Sequence, residues 1–584
     1  MRTHTCGELD DKDNSKEVVL CGWCNSRRDH GGIIFIDLRD RYGLTQIVFD
    51  PRVFKNFESA EKIRREDVVC VKGKVELRKP GMANPKLKTG KIEVFISYMD
   101  IINKAETPPL EIDDNTVAND DMRLKFRYLD LRRPVMQKHL KFRHDVVTAG
   151  REFFNKNGFL EIETPLFVKS TPEGARDYVV PSRVNMGEFY ALPQSPQLYK
   201  QILMIAGTDR YYQVARCLRD EDLRSDRQPE HTQFDFEMSF VDSKDILNLV
   251  ENFFRHIFKK VGGIELGEFP VFSYTEAMSR FGTDKPDIRF GLELADVTDI
   301  VTQSDFGVFK DIAQKGGIIK CINPEKDFSR KAIDKYISFC QQIGSNGMSW
   351  MRVTENGLES SVVKYFNDEI QKKLIEKISA KQGSTIFFIA DKEKKCNEIL
   401  AQLRTKLADD LGLIKKDEFR LCWVTDFPLF SYNEGEERWE PEHHMFSMPK
   451  KEFLDKMEED PGKVLGDLFD ITLNGVELGS GSIRISDPKI QKRVMKIIGM
   501  TDEEANEKFG FLLEAYKYGA PIHGGMGLGL DRIVALMLGF NDIREVIAFP
   551  KNKAAQCPMD GSPSQISEEQ LKELHLKPDF VKKT

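Results

Sequence analysis

No apolar run in this sequence approaches the ~18 residues that span a bilayer; the longest, such as Val534–Leu538, stop far short. A membrane-crossing helix is therefore not expected. The N-terminal MRTHTCGELDD is polar and has no apolar signal core, so export is not expected either. Cysteine is sparse: 10 in 584 residues. That is too thin for a disulfide scaffold and suits a reducing cytosol, which makes the cytoplasm the expected location. The phosphate-cradling pattern GxxxxGK(S/T) is absent, so this is not a P-loop protein. GGMGLGLDR has Gly525, Gly527 and Gly529, but a leucine where a dinucleotide fingerprint needs its last glycine. Cys21-Gly-Trp-Cys24 has no second CxxC, and Glu442-His443-His444 has no third ligand at zinc spacing. The cysteines read as core residues, and the histidines as a substrate contact or a structural pair. There is no internal repeat and no low-complexity tract.

What is present is ordinary globular composition, 40% hydrophobic and 31% charged, which rules out a mainly disordered chain. Lys+Arg is 87 and Asp+Glu is 94, so the net charge is 87 − 94 = −7. A mild acidic excess does not exclude nucleic acid, because a basic patch can be local, and the first 160 residues are rich in Arg and Lys. At roughly 150 residues per domain the length suggests about four domains.

Residues 18–102 hold five strand-like runs, VVLCGWC, GGIIFIDLRD, LTQIVFD, VVCVKGKVEL and KIEVFISYMDII, with turn formers between them. Five short strands in so few residues suit a small closed barrel of the OB type, with a β-sandwich as the alternative. The polar stretch 103–121, with Pro108-Pro109, reads as a hinge. Pro134 sits where a first helical turn tolerates it, Val135–Asn157 is helix-like, and Asn157-Gly158 is a stop signal. Short β runs and helical runs alternate over 186–285. Residues 290–417 have a Lys-rich α/β texture of their own and read as an insertion.

Arg219-Asp220-Glu221 ends the strand-like YYQVARCL. A polar loop follows, then Phe234-Asp235-Phe236-Glu237. Two paired strands carrying Arg219, Glu221, Asp235 and Glu237 suit a polyphosphate: Arg grips phosphate as a fork, and carboxylates hold Mg²⁺. Asp470 and Glu477 flank a turn at Asn474-Gly475 and, with Ser480, offer oxygens for Mg²⁺; alone they would read as an exposed acidic hairpin.

Together, FLEIETP after a long helix, ARCLRDEDLRSDRQPEHTQFDFE and GMGLGLDR resemble motifs 1, 2 and 3 of class II aminoacyl-tRNA synthetases. YLDLRRP, TPEGARDY, LPQSPQLYKQ, HHMFSMP and GSGSIR are similar to aspartyl-tRNA synthetases of the bacterial type. The resemblance covers nearly the whole chain. It implies an α+β multidomain protein: an N-terminal OB-fold β-barrel over 1–105 that binds the anticodon, a hinge over 106–133, and a class II antiparallel sheet flanked by helices over 134–287 and 418–557. An inserted α/β domain would fill 288–417, and a C-terminal extension 558–584.

The resemblance also implies the chemistry. ATP, with Mg²⁺, is attacked at its α-phosphate by the aspartate α-carboxylate, already ionised at pH 7, so positioning and charge stabilisation suffice. Arg219 would grip the α-phosphate; Glu221 and Gln228 would face ATP beside Asp220. Arg532 would stack on the adenine, next to Gly529, Leu530 and Asp531. His231 stands where relatives usually have Phe on the other adenine face. Asp470, Glu477 and Ser480 match the Mg²⁺ positions. Arg484 and Lys200 would hold the side-chain carboxylate of L-aspartate; Glu173, Ser195, Gln197, Gln233, Asp235 and His443, with Arg219, surround the rest. Arg28, Phe35 and Gln46 match anticodon-reading positions, with Glu76 where some relatives carry Arg. Phe35 reads either as a base-stacking platform or as a barrel-core aromatic.

His30 and Gly81 resemble the pattern of enzymes that charge tRNA(Asn) as well as tRNA(Asp), which would place an amidotransferase downstream. Motif 1 implies a homodimer. The competing reading is a degenerate synthetase serving only as a nucleic-acid-binding module, but Arg219, Glu477, Arg484 and Arg532 are all intact. The asparagine and lysine enzymes share the layout; the insertion and the Lys200/Arg484 pair favour aspartate.

Overall fold

The computed structural model describes residues 2–171, 175–222 and 226–579. Among them no helix is long and apolar enough to cross a membrane. The chain divides into two compact units, one of residues 2–141 with 544–564 and the other of 142–543 with the remaining C-terminal residues.

In the first unit, β1 (Glu17–His30), β2 (Ile33–Asp40), β3 (Gly43–Phe49), β4 (Val68–Leu77) and β5 (Ile92–Asn103) close into a barrel of order β1-β2-β3-β5-β4. Closure, not a sandwich, is the outcome. Alternation sends Val18, Leu20, Ile34, Ile36, Val69, Val71 and Val94 inward. Cys21 and Cys24 differ by three positions and so face opposite ways: Cys24 is in the core. Cys21 lies half-buried on the outer face, its sulfur 3.2 Å from that of Cys70 on the paired strand, which corrects the reading of both as core. YLDLRRP has a structural use in this unit. Buried Asp130 accepts from Arg123, Arg127 and Arg133, and Arg127 donates to the carbonyls of Arg544, Ile547 and Ala548.

The helix foreseen over 135–157 is α1, Pro134–Lys156, and the first half of FLEIETP gives the short β6, Leu160–Glu161. Then come α2 (Gln197–Ile205), β7 (Arg210–Leu218), β8 (Glu230–Ser239), α3 (Ser243–Ile257, capped by Asp242), β9 (Val271–Ser273) and α4 (Tyr274–Phe281). The segment read as an insertion carries a five-stranded sheet of its own: β10 (Leu294–Asp296), β11 (Ile318–Ile322), β12 (Ser349–Thr354), β13 (Gly357–Glu359) and β14 (Thr385–Asp391), in the order β10-β11-β14-β12-β13. Apolar clusters cover both faces, and α5 (Glu393–Asp410) contributes to one of them. The second unit continues with β15 (Leu421–Thr425), β16 (Leu468–Leu473), β17 (Val476–Ile483), β18 (His523–Gly529) and α6 (Leu530–Met537).

The main sheet has the order β9-β15-β16-β17-β18-β8-β7-β6, antiparallel through its centre with one parallel pair at each edge. Period-two alternation gives it two unlike faces. Phe234 and Phe236 of β8 and Tyr212 of β7 point to the helices, where Phe154 of α1 stacks on Tyr212 at 4.8 Å and Phe253 of α3 meets Phe234 at 5.2 Å. Gln233, Asp235 and Glu237 take the opposite face.

The helical face is packed to contact at Gly150 of α1. A Cβ there would lie 2.4 Å from Phe234 Cζ. Gly150→Ala gains up to ~1 kcal/mol of helix propensity but overpacks a filled core at a cost of about 1–3 kcal/mol. The expected result is a lower midpoint in urea denaturation; an equal or higher midpoint would mean that Phe234 steps aside freely.

Candidate active site

Strand register builds the polar face. Gln233, Asp235 and Glu237 of β8 lie opposite Gly529, Gly527 and Gly525 of β18, which in turn put Gly527 beside Ser480 and Gly525 beside Ser482 of β17. The glycines of GGMGLGLDR therefore form a floor under a row of charged side chains. At Gly525 the approach is close enough to forbid any side chain: a Cβ would lie 2.2 Å from Glu237 Oε2 and 2.1 Å from the Phe236 carbonyl oxygen.

Asp470 faces Ser480 across β16–β17, and Asn474-Gly475, both with positive φ, close the hairpin. Strict alternation would put Glu477 on the face opposite Ser480. The register shifts between Ile471 and Thr472, where one extra residue, Leu478, enters β17; Glu477 then pairs with Thr472, two residues from Asp470. A one-residue bulge thus moves Glu477 to the side of Asp470. Far from being an exposed acidic hairpin, Asp470 is almost fully buried.

The deepest part of the site is a four-charge network. Lys200 of α2 donates to Asp235 at 2.9 Å and lies 3.2 Å from Glu237. Arg484 binds Glu237 through Nε at 2.8 Å and Nη2 at 3.3 Å; it also donates to Gly525 O, Ser482 Oγ and His444 Nε2, the last at 2.7 Å. All five of its N–H groups have acceptors. Burial pushes the Asp235 carboxyl up in spite of Lys200, whereas Arg484 and Lys200 outweigh burial at Glu237 and hold it down. Burial, with Arg484 beside it, keeps the His444 imidazole neutral. Asp235 and Glu237 therefore do not cluster with Arg219 and Glu221 as the paired-strand reading expected. Arg219 and Glu221 lie beyond the end of β7, 4.0 Å from each other, and Glu221 also meets Arg227. The carboxylates of β8 serve the two buried cations instead.

Nearer the mouth, Arg532 donates to the Glu477 carbonyl oxygen at 2.9 Å and to Asp226 at 3.1 Å. His231 is half-buried at the head of β8. Burial, reinforced by Arg219, Arg532 and Arg216, lowers its pKa to about 3, so the ring is neutral. His443 Nδ1 is 2.8 Å from Ser480 Oγ and 3.8 Å from Asp470. Burial pushes Asp470 up to about 7, with Glu477 adding and His443 opposing; Glu477 is held low, against burial, by Lys285 and Arg532.

Gln233 donates to Asp235, Ser195 Oγ accepts from the Gln197 amide, and Gln228 is buried. The Asp220 amide donates to the carbonyl oxygen of Arg176, within the TPEGARDY loop; Glu173 lies outside the described residues. Leu530 and Asp531 turn their side chains away from the mouth. Leu530 is in the core, and Asp531 accepts from Arg143 of α1 and from the Thr232 amide, so its carboxylate belongs to the scaffold. Sequence reasoning left His444 as a substrate contact or one of a structural pair, and passed over Ser482, Asp226 and Lys285. The adjacent histidine and the second serine of GSGSIR were the only signals of His444 and Ser482.

Among the described residues, the buried polar atoms without a hydrogen-bond partner include Gln197 Nε2, Arg219 Nε, Asp235 Oδ1 and Asp470 Oδ1. Each such vacancy costs about 1–3 kcal/mol. Two donors and two acceptors point at a ligand carrying both anionic and cationic groups. Among the described residues no three His, Cys, Asp or Glu side chains are grouped to hold a metal. Asp470 and Glu477, with one buried oxygen unpaired, fit an Mg²⁺ that keeps waters and is shared with phosphates.

On the barrel, Arg28 donates to Asp37 at 3.0 Å and to Gln46 at 3.2 Å, and Gln46 donates to Glu93. Phe35 lies half-exposed on this outer face between inward Ile34 and Ile36, which removes the core reading. His30 is exposed beside the positive-φ turn Gly31-Gly32. Gly81, φ +81°, follows Pro80 in a turn closed by Met82 N to Lys79 O. Glu76 lies directly opposite Glu93.

Residues 119–553 match the family of class II tRNA synthetases (D, K and N), and residues 18–102 match the OB-fold nucleic-acid-binding domain. The chain belongs to this class II tRNA synthetase family. It is 51% identical to the aspartate–tRNA(Asp/Asn) ligase of Caldanaerobacter subterraneus subsp. tengcongensis, across 99% of this chain and 98% of that protein. It is 48% identical to the aspartate–tRNA ligase of Macrococcus caseolyticus, across 98% of each. The fold is shared with asparaginyl-tRNA synthetase from Pyrococcus horikoshii complexed with asparaginyl-adenylate (TM-score 0.59, 20% identity, 94% of this chain and 97% of that one). It is shared also with aspartyl-tRNA synthetase from Entamoeba histolytica (TM-score 0.56, 18% identity, 93% and 90%).

Asp470 supplies a pH test. The unfolded chain ionises it near pH 3.9, the folded one near 7. Between those values the folded state retains a proton that the unfolded state has lost, so stability falls as pH rises through about 4 to 7. Without nucleotide or Mg²⁺, the melting temperature of Asp470→Asn relative to the unsubstituted protein should be higher at pH 8 than at pH 5. A flat difference would mean that Asp470 titrates normally.

Proposed function

We propose that the protein attaches L-aspartate to tRNA(Asp), and also to tRNA(Asn), through an aspartyl-adenylate made from ATP. The observation that carries this reading is the set of unpaired buried atoms on Gln197, Arg219, Asp235 and Asp470, together with the fixed pair of cations Lys200 and Arg484. Asp235 Oδ1 suits the substrate ammonium, Gln197 Nε2 and Arg219 Nε suit carboxylate or phosphate, and Asp470 Oδ1 suits a cation. Lys200 and Arg484, locked by Asp235 and Glu237, are the groups that separate aspartate from neutral asparagine. A side-chain carboxylate reaches Arg484 by replacing an existing acceptor, and the neutral His444 ring is the weakest of them. Ser195, Gln233, His443 and Glu173 complete the amino-acid site.

Arg219 holds the α-phosphate while the ionised aspartate carboxylate attacks in line, so no general base is needed. Asp220, Glu221, Gln228 and the backbone at Gly529, Leu530 and Asp531 border the nucleotide, and the adenine lies between Arg532 and His231. A neutral imidazole offers a π-face without adding to the positive charge there. Asp470 and Glu477, beside Ser480, would hold Mg²⁺, which neutralises phosphate charge when bound. A homodimer is favoured by the motif 1 segment, where Leu160, Leu166 and Phe167 are exposed apolar residues of the second unit. A cytoplasmic location follows from the reaction.

On the barrel, Phe35 offers a stacking face beside Arg28 and Gln46, so an unstacked anticodon base is the natural ligand. The Asp and Asn anticodons differ at their third base. An exposed imidazole at His30 and no side chain at Gly81 leave nothing to reject either one. The relatives' names divide in the same way, some as Asp/Asn ligases and some as aspartate–tRNA ligases. Asp-tRNA(Asn) then needs an amidotransferase as its consumer.

Arg219→Ala should lower aspartate-dependent pyrophosphate exchange by a hundredfold or more, the scale of a lost transition-state donor, with the melting temperature unchanged. Near-normal exchange would remove Arg219 from the α-phosphate. Charging of purified tRNA(Asn) with labelled aspartate should reach a kcat/KM within tenfold of that for tRNA(Asp). A thousandfold deficit, about 4 kcal/mol of discrimination, would exclude the dual specificity and leave the aspartate activity standing.

A further inference from the structure

Lys285 is unaccounted for by the reading above, and it reaches into the same site from outside every motif. It belongs to Thr283-Asp284-Lys285-Pro286-Asp287, the segment that leaves α4 toward the insertion. Its ammonium is 3.0 Å from Glu477 Oε2 and 3.6 Å from Asp284. Arg532 meets the same residue from its other end, through the Glu477 carbonyl oxygen. Two cations thus converge on Glu477, one on its backbone and one on its carboxylate. The Lys285 side chain is 40% exposed, so it is open to a ligand in the mouth of the site.

The segment is fastened just behind Lys285. Asp287 is held by Arg289 at 2.7 Å, and its carbonyl oxygen accepts from buried Arg404 of α5 at 2.9 Å. Arg404 also takes the carbonyl oxygens of Phe290, Gly291 and Leu292. The positive-φ Gly475 of the β16–β17 turn lies against Asp287, where a Cβ would approach Asp287 Cβ to 3.2 Å. The β16–β17 hairpin and Arg404 of α5 together therefore fix the base of Lys285, while its long side chain stays partly exposed.

From this geometry we infer that Lys285 is a further catalytic residue that binds the β- and γ-phosphates of ATP and the departing pyrophosphate. The inference rests on the proposed adenylate chemistry. Without nucleotide, the ammonium balances Glu477. Glu477 is one of the residues that would hold Mg²⁺; in that role it would leave the Lys285 ammonium, a flexible point charge, available to the phosphates of a bound triphosphate. In the reaction a bond forms between the aspartate carboxylate oxygen and the α-phosphorus. The bond from that phosphorus to the bridging oxygen breaks, and its electron pair leaves with pyrophosphate. The added negative charge on the leaving group is what the ammonium meets, and no proton needs to move.

The test compares the unsubstituted protein with Lys285→Met and Lys285→Arg. Aspartate-dependent exchange by the unsubstituted protein is the control: its absence would reject the proposed function itself. With exchange present, Lys285→Met should raise the KM for ATP and for pyrophosphate at least tenfold and lower kcat/KM for ATP about a hundredfold. The KM for aspartate should stay within twofold, and Lys285→Arg should recover at least part of the loss. Calorimetric titration with inorganic pyrophosphate, with and without Mg²⁺, should show at least tenfold weaker binding to Lys285→Met. Unchanged ATP and pyrophosphate parameters would overturn the inference. A loss of pyrophosphate affinity confined to the titration with Mg²⁺ would overturn it too, because Lys285 would then act only by holding Glu477 in place.

Discussion

Everything in the second unit's active site depends on a buried exchange of charge between β8 and its neighbours. Lys200, Asp235, Glu237 and Arg484 are at most 2% exposed. Each ion removed from water costs several kcal/mol, and removing one member of such a pair costs about 3–5 kcal/mol because its partner is left uncompensated. The group persists because two cations meet two carboxylates at hydrogen-bond distance. The same pairing fixes the positions of Lys200 and Arg484 before any substrate arrives, so little reorganisation accompanies binding. The glycines of β18 are a condition of this arrangement: the space above Gly525 and Gly527 is already filled by Glu237 and Gln233.

The network also explains why one strand can serve two purposes. In β8, Phe234 and Phe236 seal the helical face while Gln233, Asp235 and Glu237 build the polar one. A one-residue slip would bury charge among phenylalanines and expose the phenylalanines, so the aromatic contacts to Phe154 and Phe253 hold the site in register. Where strict alternation would misplace a functional group, the structure breaks it: the bulge at Leu478 turns Glu477 toward Asp470. The insertion contributes through Arg404, which gathers the carbonyl oxygens of the crossing segment and so connects a separate sheet to the rim of the site.

The barrel and the long helix were legible because their signals are local. Alternating apolar residues between turn formers produce strands, and Pro134 with Asn157-Gly158 brackets a helix. Asn474-Gly475 marked its hairpin for the same reason, since few other pairs accept two positive φ angles. The site was legible only in part. Similarity of motifs placed Arg219, Glu477, Arg484 and Arg532 in one family pattern. It did not reveal that Asp531 would be taken up by Arg143 and Thr232, or that Asp235 and Glu237 would serve Lys200 and Arg484.

The sequence by itself determined the local elements, the OB-type barrel, the alternation that makes two-faced strands, and the set of residues from which a class II synthetase site is assembled. These depend on neighbours within a few positions, or on motif spacing. The tertiary structure alone decided which charges are paired, which face Glu477 occupies, that Phe35 lies outside its barrel, and that Lys285 enters the site from a segment between α4 and the insertion. Those outcomes depend on register and on contacts between residues up to hundreds of positions apart, such as Arg484 with Glu237. Periodicity cannot encode them, because a strand's own pattern does not say which partner will lie beside it.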